Sequence, residues 1–114
     1  MRHEDRDPAY LWDMLEVSRE LVEMNANASR REFLSNRMLL RATERNLEIL
    51  GEAATRVSLA RMEKTPEIPW RRIIGQRNVL AHEYGDIDHE LLYETVRRDI
   101  PDLIDTLESL LANK

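Results

Sequence analysis

Residues 38–61 read Met38-Leu-Leu-Arg-Ala-Thr-Glu-Arg-Asn-Leu-Glu-Ile-Leu-Gly-Glu-Ala-Ala-Thr-Arg-Val-Ser-Leu-Ala-Arg61, a stretch without proline. In it Leu39, Leu40, Thr43, Leu47, Leu50, Ala54 and Val57 recur at the spacing of one helical face, which predicts a single long amphipathic helix from Met38 to about Arg61. On the opposite side Arg37, Arg41 and Arg45 form an i, i+4, i+8 row, and Arg56 extends it about three turns further on. Gly51 interrupts the good helix formers at a cost of about 1 kcal/mol relative to alanine. Its presence predicts a close backbone approach, by another helix or by a second copy of the chain.

The flanking segments also read as helices. Asp7 is the expected N-cap of a first helix with Pro8 at its first position, and Tyr10, Leu11, Met14, Val17, Leu21 and Val22 trace its apolar face as far as Asn25 to Asn27. Ser29-Arg-Arg-Glu32 has the form of a capping box, so a second helical segment starts there with Phe33 and Leu34 buried. Pro66 and Pro69 break the chain, and a helix from Trp70 to His82 or Tyr84 is expected to stop at Gly85 as a left-handed C-cap. Asp86 and Asp88 offer caps for a last helix, whose stripe Leu91, Leu92, Val96, Ile100, Leu103, Leu107 and Leu110 is interrupted by Pro101, predicting a kink or restart near Asp99. Trp70 and the methionines Met14, Met24, Met38 and Met62 read as core. The expected fold class is therefore all-α, a small antiparallel helical bundle forming one domain over residues 1–114.

Composition narrows the chemistry. With 114 residues, 42% hydrophobic and 34% charged, the chain can fill one core; 3 Gly and 4 Pro argue against a turn-dense β fold. The absence of cysteine excludes a disulfide framework, a zinc–thiolate site and a thiol nucleophile. No apolar run approaches a membrane span and Met1-Arg-His-Glu-Asp-Arg-Asp-Pro8 is too polar for a signal peptide, so a cytoplasmic protein without a membrane partner is expected. The net charge of −5 is unevenly spread: residues 30–77 hold 11 Lys and Arg against 6 Asp and Glu, while both flanks are acidic. Of the 17 basic residues 15 are Arg, a side chain suited to bidentate contact with phosphate or carboxylate.

Of the three histidines, His3 lies in a terminus expected to fray and His89 in the first turn of a helix, where a surface role is expected. His82 differs, because Arg77-Asn78-Val79-Leu80-Ala81-His82-Glu83-Tyr84-Gly85 puts it in the last turn of its helix, where the dipole favours a cation, with Arg77 upstream. Five residues separate the two, so at ~100° per residue they stand about 140° apart and do not share a face. They can converge if the arginine wraps around, if the helix end distorts, or if two copies meet across a two-fold axis. Asn78 and His82 are i, i+4 neighbours, and Arg77 and Tyr84 align at i, i+7. Glu48 and Glu52, beside Gly51, are candidates to buttress Arg77 or the basic row. Glu83, Asp86 and Asp88 are the nearest approach to a metal-binding set and read better as caps and solvated charges, so neither a metal nor another cofactor is expected.

The run from Trp70 through Gly85, with Arg, four residues, His, one residue and Tyr at its centre, resembles the signature of the HepT-like toxins of the HEPN superfamily. Arg45-Asn-Leu-Glu-Ile-Leu-Gly-Glu-Ala53 is similar to that family's mid-helix segment, and Glu67-Ile-Pro-Trp70 and Glu94-Thr-Val-Arg-Arg-Asp-Ile-Pro101 to its later landmarks, so the resemblance covers most of the chain. It implies a helical homodimer whose cleft is lined by Arg and His of both protomers, and a metal-independent RNA endonuclease. It also implies a minimal nucleotidyltransferase antitoxin as partner, which neutralises the toxin by transferring AMP to the motif tyrosine. Carried onto this sequence, Arg77 and His82 are catalytic, Asn78 supports them and Tyr84 is the modified hydroxyl; Arg37, Arg41 and Arg45 are candidates to bind RNA. Two other readings compete: a non-catalytic subunit that binds nucleotide or docks the nucleotidyltransferase, and a purely structural helical dimer.

Overall fold

The computed structural model describes residues 6–82, 85 and 87–112. Its helices are α1 (Asp7–Asn25), α2 (Arg30–Ser35), α3 (Arg37–Arg56), α4 (Leu59–Lys64), α5 (Trp70–His82), α6 (His89–Glu94) and α7 (Ile100–Ala112), with a π-helical turn, Thr95–Asp99, joining α6 to α7. Helix α3 is the spine: α1 packs along one flank of it and α5 along another, and α7 lies against α1. Met14, Leu15, Leu21, Phe33, Leu47, Leu50, Ile68 and Leu107 are the largest fully buried apolar side chains between these layers.

Local chemistry accounts for most boundaries. Ser29 closes the expected capping box: its Oγ accepts from the Glu32 N–H at 3.1 Å while its own N–H donates to Glu32 Oε1 at 2.8 Å. The Ser29 N–H, and after it the Ser29 hydroxyl, hold the Glu32 carboxyl below the ordinary glutamate range. Asp88 Oδ1 accepts from the Leu91 N–H at 3.1 Å and caps α6 as expected. Pro101 has no N–H to continue the helical ladder; just before it the Ile100 N–H bonds to the Thr95 carbonyl, five residues back, and this widened turn is the restart that the proline predicts. Trp70 is buried, with its indole N–H donating to the Thr65 carbonyl at 3.1 Å.

Four expectations are corrected. Asp7 is not a cap: Arg6 holds that position, and Asp7 is the buried first residue of α1. Its carboxylate instead accepts from the Ser58 N–H at 2.8 Å and the Ser58 hydroxyl at 2.6 Å. That contact accompanies the second correction, because the single helix expected to reach Arg61 ends at Arg56. Val57 is extended and buried, and Ser58, held by Asp7, caps α4 by accepting from the Arg61 N–H. Third, Gly85 does not take the left-handed conformation of a C-capping glycine, since its φ is not positive. Fourth, Met38 is 83% exposed rather than core, lying in the first turn of α3.

Candidate active site

The site begins with the seat of Arg77. A Cβ placed on Gly51 would fall 2.2 Å from Arg77 Cβ, 2.8 Å from its Cγ and 3.1 Å from the Ile73 carbonyl oxygen. Two of these contacts are closer than side chains tolerate, so only glycine lets α5 lie this near α3. The close approach expected at Gly51 is thus made by a helix of the same chain, and it is made at the motif arginine.

The guanidinium is lightly held. Arg77 Nη1 donates to Asn78 Oδ1 at 3.0 Å, Nη2 stands 4.0 Å from Glu52 Oε2, and Nε is buried without a partner among the described residues. Its side chain is 30% exposed. Of five N–H donors few are used by the protein, and the remainder suit the oxygens of an incoming phosphate. Glu52 also stands 4.0 Å from Arg45 Nη1, and Glu48 3.5 Å from the same atom, so Glu52 stands beside both Arg77 and the basic row and Glu48 beside the row alone.

His82 ends α5 with its side chain exposed, whereas Arg77 is turned toward α3. The helix is regular between them, so the structure brings Arg77 together with Asn78 and Glu52 but does not bring His82 onto the same face. Arg37, Arg41 and Arg45 are exposed; Arg41 pairs with Glu44 at 3.3 Å, and Arg37 has no ion pair among the described residues. Tyr84, Glu83 and Asp86 lie outside the described residues. Among those that are described, no three His, Asp or Glu side chains cluster as a metal site would.

A residue read from sequence as surface proves to be engaged. His89 Nε2 lies 2.7 Å from Glu44 Oε2, in a carboxylate only 13% exposed. Glu44, Glu48 and Gly51 repeat at i, i+4, i+7 along one stripe of α3. That pattern is visible in sequence, but its partner 45 residues on is not. An apolar groove of about 370 Å³ opens between α5 and the α6–α7 layer, lined by Ile73, Val79, Leu80, Leu92 and Leu103, and neither Arg77 nor His82 lines it.

A family model described as "Ribonuclease HepT-like" matches residues 14–110. "Putative RNase MJ1380" of Methanocaldococcus jannaschii is 39% identical over 93 residues, covering 82% of this chain and 85% of that protein. "Probable ribonuclease HepT" of Thermococcus cleftensis is 35% identical over 101 residues, covering 89% and 92%. "Putative RNase TTE0752" of Caldanaerobacter subterraneus is 33% identical over 102 residues, covering 90% and 91%. No solved structure matches the chain. Among the described residues no helix is long and apolar enough to cross a membrane.

Proposed function

Because the chain belongs to the ribonuclease HepT-like family, we propose that it is the toxin of a type II toxin–antitoxin pair, a metal-independent RNA endonuclease acting in the cytoplasm as a homodimer of one-domain HEPN-like chains. The observation that carries this reading is Arg77 itself, pressed onto α3 through Gly51 while most of its guanidinium donors are unclaimed by the described residues. A positively charged donor fork fixed on rigid helices and only partly covered is what a phosphodiester in its transition state requires.

In the proposed reaction one imidazole takes the proton of the substrate's 2′-hydroxyl, and the 2′-oxygen attacks the adjacent phosphorus. The charge gathering on the non-bridging oxygens is met by Arg77, oriented by Asn78. The imidazolium so formed gives that proton, by way of water, to the departing 5′-oxygen, so a cyclic phosphate and a free 5′-hydroxyl result. His82 of the partner protomer supplies this imidazole to Arg77, because Arg77 and His82 of one chain face different ways. Exposed Arg37, Arg41 and Arg45 hold the flanking RNA backbone. Silencing follows from AMP transfer to Tyr84 by a nucleotidyltransferase antitoxin: the added nucleotide and its phosphate, two residues from His82, occupy the place of the substrate phosphate.

Turnover separates this enzyme from a subunit that merely holds nucleotides. Purified protein in EDTA, given a hundredfold excess of single-stranded RNA, is expected to cut many RNA molecules per chain and to leave DNA of the same sequence intact. Stoichiometric RNA binding without cleavage would replace the enzyme by the binding subunit.

A further inference from the structure

The catalytic reading makes no use of His89, yet His89 and Glu44 form a hydrogen bond of 2.7 Å in a partly buried setting. Glu44 takes two partners, Arg41 Nη1 at 3.3 Å from its Oε1 and His89 Nε2 at its Oε2. A carboxylate removed from most of its water and supplied with two donors holds both of them in place.

What this bond connects gives it significance. Glu44 lies on the α3 stripe that continues through Glu48 to Gly51, the seat of Arg77, seven residues and about 10 Å along the axis. His89 is the first residue of α6, and six residues separate it from His82, the last residue of α5. The other side-chain ties of α6 run elsewhere: Glu90 pairs with Arg30 of α2, and Tyr93 packs against Phe33 of α2 with ring centroids 5.5 Å apart. Among the described residues, His89–Glu44 is the side-chain hydrogen bond that references α6 to α3. α5 is thereby set against one face of α3 through Gly51 and Arg77, and α6 against the same face through Glu44 and His89.

We propose that Glu44 and His89 are a positioning pair, whose hydrogen bond between α3 and α6 holds the C-terminal end of α5, and with it the His82 imidazole, in register with Arg77. The proposal rests on the catalytic reading of His82, and neither Glu44 nor His89 need touch the substrate. Removing either partner breaks the same bond, and Glu44→Ala in addition releases Arg41 from its carboxylate.

The test combines kinetics with a readout that needs no activity. With single-stranded RNA in EDTA, Glu44→Ala, His89→Ala and the double variant are each expected to lower kcat about tenfold while KM changes less than twofold. His89→Gln, whose amide N–H can replace the imidazole donor, is expected to recover most of the rate. In parallel, the Cε1–H resonance of His82, followed by NMR, is expected to shift in Glu44→Ala and to return toward its wild-type position in His89→Gln. His89→Ser, well tolerated in a first helical turn, replaces His89→Ala if circular dichroism shows that variant unfolded. A wild-type kcat in folded His89→Ala, or an unmoved His82 resonance in folded variants, would overturn the pair. A wild-type chain that cuts no RNA but whose His82 resonance responds as described would retain the positioning pair and remove the catalytic reading.

Discussion

Gly51 and Arg77 carry the residue-scale account, because the absence of one side chain fixes the place of the other. Ordinarily Gly→Ala inside a helix gains about 1 kcal/mol through backbone entropy and propensity. Here the added methyl would meet Arg77 Cβ and Cγ and approach the Ile73 backbone, so no rotamer change of a flexible tip relieves it and α5 must shift. Overpacking of that kind costs about 1–3 kcal/mol. Gly51→Ala is therefore expected to lower stability in urea denaturation despite its better helix propensity, and to lower RNA cleavage further than the stability loss explains. A more stable Gly51→Ala protein with unchanged cleavage would show that α5 does not depend on this approach. The sequence reveals that Gly51 is out of place in its helix, but not which side chain requires it. A glycine advertises a vacancy, and its occupant comes from a segment 26 residues away.

At the scale of elements, the capping box at Ser29, the Asp88 cap and the disruption before Pro101 were all legible, since each is written in residues a few positions apart. The end of α3 was not. Nothing within residues 50–61 forbids a helix, and the interruption at Val57 and Ser58 coincides with a carboxylate 51 residues earlier in the chain, where Asp7 accepts both donors of Ser58. The same residue was misread as a cap because its type fits that role and its distant partner was invisible. Asp7→Ala would leave the buried Ser58 N–H without its acceptor and loosen the cap of α4, a loss of about 1–3 kcal/mol. Thermal denaturation is expected to show that loss, and amide exchange of residues 58–64 is expected to accelerate. Exchange in α4 no faster than in wild type would mean that Asp7 does not hold this junction. His89 belongs to the same class: its place in a first turn was readable, but its bond to Glu44 was not.

For the whole molecule, helical periodicity and the lack of turn residues made the all-α bundle readable before any contact was known, and the described helices agree. The candidate site was legible in part. The spacing of Arg77 and His82 already places them on different faces, and the structure keeps them so, with Arg77 against α3 and His82 exposed. The proposed homodimer would bring the two together across chains, and exposed Val79, one turn before His82 on α5, offers an apolar contact beside it. Neither residue belongs to the apolar core, so substituting either is expected to leave the fold intact. The most direct measurement is the rate of RNA cleavage in EDTA by Arg77→Ala, by His82→Ala and by the two variants mixed after unfolding and refolding together. Each variant alone is expected to lose ~10²-fold or more while keeping its helical content, and the mixture is expected to regain part of the rate, because mixed dimers hold one intact Arg77 and one intact His82. Cleavage that survives His82→Ala, an absolute need for a divalent ion, or a mixture as silent as its components would contradict a metal-independent site shared between two chains.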